Sequence, residues 1–351
     1  MHACTEPRVG LLAYSTNTGL GIQTHEFARH LDPARILLVD LSALNHAEQH
    51  PERYDGFDVL SVAGFPTASD IDRFLDGLDV VFVAETPLFY DLFARARARG
   101  VKTILQPNHE FNDYYARPHL PLPDLFGLPS VWHYDDLPYE NKMHLPVPVA
   151  LDRLPRNGGS RFRRFLHIAG RPAVHDRNGT AETIAAFRAV TCPGATLTVR
   201  VQGGGEEYRA MAGGDGRIMV DDRDMPRYGD AYRGFDVLVL PRKYGGLCLP
   251  MQEALGSGMP VIMTDVSPND AMLPPEWLVP ATHTGEFMTR TTIDIHTADV
   301  PALTDRLETF CALDEDQAAY EFAAARTLGA ALSWDRLAPL YRAVLAEVAR
   351  G

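Results

Sequence analysis

The chain has 351 residues, of which 46% are hydrophobic, and its formal net charge is −13. The length favours two domains, each large enough for a core of its own, and no apolar run approaches the roughly 18 residues of a membrane-spanning helix. The acidic charge disfavours work on nucleic acid or on an anionic membrane, since both select for a basic surplus.

Neither the amino-terminal residues nor the cysteines indicate export. The opening sequence, MHACTEPRVG, lacks the basic start and apolar core of a secretory signal. The four cysteines, Cys4, Cys192, Cys248 and Cys311, are widely scattered, with neither the Cys-x-x-Cys spacing of a zinc site nor the pattern of a disulfide framework. We therefore expect a reducing, cytoplasmic location.

Short apolar runs separated by helical patterns predict a parallel α/β sheet in the first part of the chain. Helices are predicted at 22–31 and 90–99. The predicted strands are 9–14, 36–39, 58–62, 79–83 and 103–105.

Two glycines follow the first predicted strand. Gly19 and Gly21 lie in the turn 15–21, and Asp40 ends the second strand, which is the arrangement of a dinucleotide-binding motif. The match is incomplete because Thr24 occupies the position of the third glycine. An NAD-dependent oxidoreductase is thus one hypothesis, based on this motif alone.

A polar segment, 106–113, follows the predicted strand 103–105 and contains His109 and Glu110. Ligands of open α/β sheets bind at the carboxyl ends of strands. His109 is therefore a candidate ligand-binding residue.

The most informative stretch is 235–265. An apolar run at 237–240 predicts a buried strand, and a turn with Gly245 and Gly246 follows it. Pro250 suits the first turn of a helix, which Gly256-Ser257-Gly258 ends before a second strand at 261–263. Such a strand–helix–strand unit belongs to a parallel sheet.

The turn in this stretch predicts an anion site. Its glycines let the backbone approach a ligand, and the helix behind them presents free N–H groups and a positive dipole end. Arg242 and Lys243 add positive charge, and the Glu253 carboxylate can accept two hydroxyl hydrogen bonds, as a ribose supplies. The alternative is an ordinary strand–loop–helix turn with a solvated Glu253.

The chain from 165 onwards predicts a second α/β domain. A strand at 165–170 runs into Arg171 and a loop, and Thr180 is the predicted cap of a helix that runs to about residue 190. A strand at 197–201 precedes three glycines, the segment 221–228 would read a nucleobase, and 288–298 is polar and without a pattern.

The stretch 235–265 resembles the signature of the large retaining family of GT-B glycosyltransferases that includes sucrose synthases, glycogen synthases and phosphatidylinositol mannosyltransferases. The residues in register are Leu249-Pro250, Glu253-Ala254 and Gly258-Met259-Pro260-Val261. Glu253 matches the family's second glutamate, which binds the nucleotide ribose. The first glutamate, which contacts the donor sugar, would fall at Gly245 and is missing.

Two further patches, 9–31 and 165–190, share the resemblance, which covers the rest of the chain only weakly. Arg171 matches the arginine of a Gly-Arg … Lys-Gly element that clamps the donor diphosphate; Asn178 stands in place of the lysine, with Arg177 beside it. His109 follows the strand after which the family's histidine contacts the transferring sugar. The implied donor-binding set is Gly19, Gly21, Arg177, Asn178, Arg242, Gly245, Gly246, Leu247, Cys248, Leu249 and Glu253, with His109 and Arg171 as catalytic residues.

The resemblance implies an α/β fold of the GT-B type, with two Rossmann-like domains facing a cleft. We expect an acceptor-side domain at 1–155, a donor-binding domain at 156–332, and a last helix at 333–351 that crosses back to the first domain. The implied activity is transfer of a hexose or pentose from a nucleotide-sugar to an unidentified acceptor, with retention of configuration. Neither a metal nor a further cofactor is expected, and the chain has no Asp-x-Asp motif.

Two further hypotheses remain beside the oxidoreductase. GT-B enzymes also glycosylate modified DNA bases of the hydroxymethylpyrimidine type, a function that the acidic net charge disfavours. Gly245 in place of the glutamate also fits a protein that binds a nucleotide-sugar without catalysis.

Overall fold

The structure is a computed structural model, and it describes residues 6–46, 48–85, 87, 89–171, 175–223, 225, 227 and 229–351. The chain folds as two compact units. Unit 1 comprises Met1–Pro148 and Trp334–Gly351, and unit 2 comprises Val149–Ser333.

Unit 1 is built on a parallel sheet of seven strands in the order β3-β2-β1-β4-β5-β6-β7. The strands are β1 (Val9–Ala13), β2 (Arg35–Asp40), β3 (Val59–Ala63), β4 (Val80–Ala84), β5 (Lys102–Gln106), β6 (Leu125–Leu128) and β7 (Lys142–His144). Its helices are α1 (Gly19–Leu31), α2 (Ser42–Asn45), α3 (Ala68–Leu75), α4 (Asp91–Ala98) and, from the carboxyl end of the chain, α11 (Trp334–Arg350). β1 and β4 are buried along their whole length, which explains their uninterrupted apolar sequences.

Unit 2 contains a second parallel sheet, of six strands in the order β10-β9-β8-β11-β12-β13. Its strands are β8 (Arg164–Gly170), β9 (Thr196–Val201), β10 (Ile218–Asp221), β11 (Val237–Leu240), β12 (Val261–Thr264) and β13 (Leu278–Val279). A separate antiparallel hairpin consists of β14 (Ala281–Met288) and β15 (Thr292–Ala298). The helices are α5 (Thr180–Ala189), α6 (Glu206–Ala212), α7 (Leu249–Gly256), α8 (Asn269–Met272), α9 (Val300–Ala312) and α10 (Glu315–Ala331).

Both sheets reverse their strand order, between β1 and β4 in unit 1 and between β8 and β11 in unit 2. The loops that follow these strands diverge to opposite faces of the sheet and leave a crevice at the carboxyl edge, where open α/β sheets bind ligands. Each unit therefore has its own candidate binding position.

The last helix belongs to unit 1. Trp334 and Tyr341 of α11 lie against Phe27 of α1, each with ring centroids 5.2 Å from the Phe27 ring. The Tyr341 hydroxyl accepts a hydrogen bond of 2.8 Å from the side-chain amide of Gln106 at the end of β5. An aromatic cluster and a buried polar contact thus hold this helix.

The first segment of the chain ends at Pro148, earlier than the expected boundary at 155. The Val149 N–H donates to the Leu332 carbonyl at 2.8 Å, and Val149 and Leu154 are buried in the core of unit 2. The sequence predicted a linker at 153–160, but Leu154 within it packs in the core of the second unit.

His167 of β8 lies at the centre of unit 2 and is completely buried. One ring nitrogen lies 2.7 Å from the Val239 carbonyl oxygen, and the other 2.9 Å from the Thr180 hydroxyl. Burial lowers the pKa of His167 to about 4, while the Val239 carbonyl and the Asp176 carboxylate act in the opposite direction. The ring is therefore neutral at physiological pH.

In the part of the chain that the structure describes, no helix is both long and apolar enough to cross a membrane.

We predict that His167 makes stability depend on pH. Its pKa of about 4 lies below the unfolded value of about 6.5, so its contribution is complete above the unfolded pKa and is lost as the pH falls through the folded pKa. In urea denaturation, His167→Gln should be less stable than wild type near neutrality. This gap should shrink by about 2 kcal/mol between about pH 7 and about pH 5. A gap that stayed constant over this range would contradict the assignment.

Candidate functional site

The loop between β11 and α7 contains a buried arginine. The Arg242 side chain is only 5% exposed, and one of its terminal nitrogens donates a 2.6 Å hydrogen bond to the Leu247 carbonyl. The Arg242 carbonyl accepts a 2.5 Å bond from the Thr264 hydroxyl, which ties the loop to β12. The Arg242 Nε is buried and has no hydrogen-bond partner among the described residues. A fixed guanidinium with a donor to spare indicates a place for an acceptor from outside the chain.

A second guanidinium, that of Arg177, approaches the same loop. Its Nε donates to the Tyr244 carbonyl at 3.4 Å, and its central carbon lies 5.3 Å from the Tyr244 ring centroid. Both guanidinium groups converge on Gly245, where a Cβ would lie 2.3 Å from Arg177 and 2.4 Å from Arg242. The φ of +114° at Gly245 is also one that other residues rarely adopt. Two arginines therefore occupy the space where the resemblance expects a glutamate side chain.

Helix α7 begins directly after this loop, so its amino end lies beside the arginines. Cys248, the N-cap residue, provides no side-chain cap, and the first turn has Pro250 and no acidic residue. The contrast with α5 is clear: Asp176 accepts hydrogen bonds of 3.0 and 2.9 Å from the N–H groups of Thr180 and Ala181. A carboxylate of the chain thus already neutralises the α5 terminus, whereas α7 keeps the anion-binding property of a helix amino end.

Lys243, unlike Arg242, does not leave its charge available to a ligand. Its ammonium group lies 2.9 Å from a Glu182 carboxylate oxygen and 3.9 Å from Asp176, and the side chain is only 11% exposed. The sequence suggested that Lys243 adds charge beside the turn. Its charge is instead matched within unit 2, on the side of α5.

Glu253 lies on the second turn of α7 and is 9% exposed. Its Oε2 accepts a short hydrogen bond from the hydroxyl of Tyr232, which belongs to a short 3-10 helix at Asp230–Tyr232. This bond orients the carboxylate. The sequence did not indicate Tyr232, because the two residues are 21 positions apart and only the tertiary fold joins them.

Arg171 and Asn178, both in the loop after β8, differ in what they contact. Arg171 directly follows Gly170, and its exposed side chain forms no hydrogen bond or ion pair with any residue that the structure describes. The Asn178 amide instead donates to the carbonyls of Ile168 and Ala169 at 3.0 and 3.1 Å. In the position where the resemblance expects a lysine, Asn178 therefore braces the end of β8.

The segment 221–228 is only partly described, because residues 224, 226 and 228 lie outside the described residues. Asp221 lies between Arg223 and Arg200, with closest oxygen–nitrogen distances of 2.8 Å to each. The hydrogen bond from Arg223 is the main reason that the pKa of Asp221 falls to about 2. Asp221 is thus an ionised carboxylate that anchors this segment to β9.

The predicted glycines of unit 1 lie inside α1 and not in the turn before it. Helix α1 begins at Gly19, with Thr18 as its N-cap residue. A Cβ on Gly21 would lie 2.1 Å from the Thr16 carbonyl oxygen. Gly21 is therefore required for close packing of the helix against the loop after β1.

His109 lies in a short 3-10 helix, His109–Phe111, after β5. Its Nδ1 is 3.0 Å from the Tyr115 hydroxyl, and its ring stacks on His133 at 4.2 Å between centroids. Burial, followed by the charge of His133, lowers the pKa of His109 to about 4, so the ring is neutral at pH 7. The sequence missed His133, which has a left-handed φ of +53° and lies 2.6 Å from Asp136.

The hairpin β14–β15 supports the loop after β11. Phe287 packs on Tyr244 with ring centroids 4.9 Å apart and on His175 at 4.5 Å. The His296 N–H donates to the Lys243 carbonyl at 3.0 Å. The sequence analysis found no pattern at 288–298, although Thr292-Ile293-Asp294-Ile295 of β15 alternates polar and apolar residues and Ile293 is buried.

One protein family is similar to part of unit 2. Residues 163–292 match the model described as "Glycosyl transferases group 1". This range contains the loops after β8 and β11, helix α7 and Glu253. Among curated proteins, no sequence matches the chain.

Solved structures resemble the whole chain. A glycosyltransferase from Rickettsia africae ESF-5 has a TM-score of 0.71 at 10% identity, covering 98% of this chain and 99% of that one. Sucrose-phosphate synthase from Thermosynechococcus elongatus has a TM-score of 0.65 at 14% identity, with 97% and 99% covered. The lipopolysaccharide outer core galactosyltransferase WaaB has a TM-score of 0.60 at 13% identity, with 98% and 100% covered.

These structural likenesses confirm the predicted α/β fold of the GT-B type, with two Rossmann-like units. Together with the match in unit 2, they support glycosyltransferase activity. Within the second unit, residues 163–292 are thus similar to the group 1 glycosyltransferases.

Proposed function

We propose that this glycosyltransferase takes its sugar from a nucleoside diphosphate sugar, and that unit 2 binds this donor. The observation that carries the proposal is the uncapped amino end of α7 beside the buried Arg242. Backbone N–H groups, a helix dipole and a guanidinium with an unused Nε then face one anion. A diphosphate has the charge and the number of acceptor oxygens to satisfy them.

The same groups act in the chemical step. Breaking the bond between sugar and phosphate leaves negative charge on the diphosphate and positive charge on the sugar. Arg242, Arg177 and the N–H groups at the start of α7 stabilise the leaving group, and Arg171 extends from the end of β8 to join them. Removing one preorganised donor of this kind typically costs about 3–4 kcal/mol of transition-state stabilisation. The arginines supply this positive charge, and we propose that donor binding requires no metal.

Glu253 binds the ribose of the donor. Its carboxylate is held by the Tyr232 hydroxyl at Oε2 and lies one turn into α7, beyond the proposed phosphate position. Ribose hydroxyls donate well to an oriented carboxylate. This role, like the retention of anomeric configuration that we propose, also draws on the resemblance of 235–265 to the retaining family.

His109 contacts the transferring sugar in this proposal. Because its pKa is about 4, it does so as a neutral ring that can donate or accept a hydrogen bond but carries no charge. We also propose a cytoplasmic location, since Cys192, Cys248 and Cys311 are buried free thiols.

One observation favours a second candidate function. Guanidinium groups fill the space at Gly245 where the resemblance expects a catalytic-site glutamate. A protein that binds the nucleotide-sugar without transferring it would tolerate this change. Release of nucleoside diphosphate from UDP-, GDP-, ADP- and dTDP-sugars separates the two, because a non-catalytic binder releases none.

We predict that Arg242→Gln weakens binding of nucleoside diphosphates about 10- to 100-fold, the factor for one charge-assisted hydrogen bond. Calorimetry with UDP, GDP, ADP and inorganic pyrophosphate measures this. The matched control is Arg209→Gln, which removes the same charge from an arginine of α6 that is 43% exposed and pairs with Asp222. Equal affinities for Arg242→Gln and wild type would remove the diphosphate assignment.

Glu253→Gln should distinguish the contribution of the ribose to binding from that of the diphosphate. The variant keeps an oxygen that can accept from Tyr232 but loses the charge, so we expect about tenfold weaker binding of the ribonucleoside diphosphate. Binding of inorganic pyrophosphate should not change. If both ligands lost affinity equally, Glu253 would be acting on the loop and not on the ribose.

A further inference from the structure

The hairpin β14–β15 forms a sheet of its own, separate from the six-stranded sheet of unit 2. Its contacts reach the two loops that follow β8 and β11. These loops carry Arg177 and Arg242, the two arginines of the proposed phosphate position. The hairpin is therefore placed to influence both loops at once.

Backbone hydrogen bonds join the hairpin to the two loops in series. The His296 N–H of β15 donates to the Lys243 carbonyl at 3.0 Å. The Lys243 N–H in turn donates to the Arg177 carbonyl at 2.8 Å. Lys243 thus uses both of its backbone groups to connect β15 with the loop after β8. These two bonds fix the backbone of Arg177 relative to the hairpin.

A row of rings extends the same connection to the side chains. Phe287 of β14 packs on the His175 ring with centroids 4.5 Å apart, and on the Tyr244 ring at 4.9 Å. The other contact of the Tyr244 ring is the Arg177 guanidinium, whose central carbon lies 5.3 Å from the ring centroid. A cation over an aromatic face is attracted by the charge distribution of the ring. Phe287 therefore fixes the ring on which the guanidinium rests.

The guanidinium of Arg177 needs such a restraint. It lies against Gly245 together with the guanidinium of Arg242, and like charges repel each other. An arginine side chain also has many rotamers, and ordering it when a ligand binds lowers the affinity. Contacts with the hairpin order this side chain during folding, before any ligand binds.

We propose that Phe287 is a positioning residue, which acts through Tyr244 to hold Arg177 where it binds the diphosphate of the donor. This role rests on the proposed function, because it assumes that Arg177 contacts a phosphate. Arg242 is held differently, since its guanidinium is buried and donates to the Leu247 carbonyl of its own loop at 2.6 Å. The hairpin thus preorganises one of the two arginines without touching the donor.

Three variants isolate this contact. Phe287→Leu keeps an apolar side chain but removes the ring that packs on Tyr244, whereas Phe287→Tyr keeps the ring. The matched control is Ile293→Val, because Ile293 lies directly opposite Phe287 in the hairpin and is completely buried. Ile293→Val removes a packed methyl group, so it should lower the melting temperature while leaving the ring contacts in place.

The first measurement uses the protein without ligand. In protein with isotope-labelled arginine side chains, the Nε–H signal of Arg177 is the one that Arg177→Gln removes. Its chemical shift depends on the position of the guanidinium over the Tyr244 ring. We expect this signal to move in Phe287→Leu and to stay in place in Phe287→Tyr and Ile293→Val. An unmoved signal in Phe287→Leu would overturn the proposal.

The second measurement is calorimetry with UDP, GDP and ADP. We expect Phe287→Leu to bind the tightest of the three about twofold to tenfold more weakly than wild type, the factor for ordering one long side chain on binding. Phe287→Tyr and Ile293→Val should bind it as wild type does. In the Arg177→Gln background, Phe287→Leu should cause no further loss, because its effect is transmitted by Arg177.

Wild-type affinity of Phe287→Leu, or the same loss with and without Arg177, would overturn the positioning role. Arg242→Gln, measured on the same nucleotides, tests the donor site itself. If Arg242→Gln loses affinity and Phe287→Leu does not, the role of Phe287 fails alone. If both bind like wild type, the proposed donor site fails with it.

Discussion

The candidate donor site depends on one feature of the sheet in unit 2, the reversal of strand order between β8 and β11. Because these neighbouring strands run parallel, their carboxyl ends lie together, and the loops that follow them carry Arg177 and Arg242. Helix α7 begins at the end of one of these loops, so its amino end faces the same place. Positive charge from three sources thus converges, although Arg177 is distant in sequence from Arg242 and α7.

Ion pairs and hydrogen bonds within unit 2 determine which of its charged groups remain available to a ligand. Lys243 pairs with Glu182, and Asp176 occupies the amino end of α5. Arg242, in contrast, is buried with an Nε that no described residue accepts from. Burying an unsatisfied donor is unfavourable unless an outside group completes it. The charges near α5 are therefore neutralised within the chain, whereas Arg242 and the amino end of α7 can bind an anion.

Much of the fold follows from local patterns. The strands around 237–240 and 261–263 and the helix beginning at Leu249 were predicted to within a residue or so, because buried parallel strands and a proline in the first turn leave clear signals. The hairpin β14–β15 was missed because β14 shows no regular alternation of apolar and polar residues, and the alternation in β15 is confined to 292–296. The N-cap residue of α1, Thr18, was missed because Gly19 and Gly21 indicated a turn, although the helix begins at Gly19.

The site itself was less accessible to sequence reasoning. The contacts of Tyr232 with Glu253 and of Arg177 with the loop at Gly245 join residues distant in the chain, and no local pattern encodes them. Asn178 illustrates a related difficulty. A single changed residue at a motif position indicates that a lysine is missing, but only the structure shows that the amide braces β8.

The most direct measurement of the central claim is a crystal structure of the protein with a bound nucleoside diphosphate. The account predicts phosphate oxygens against the N–H groups at the start of α7, a contact to Arg242 Nε, and the ribose hydroxyls on Glu253. A nucleotide bound elsewhere in unit 2, or an α7 terminus that stays unoccupied at saturating nucleotide, would contradict it.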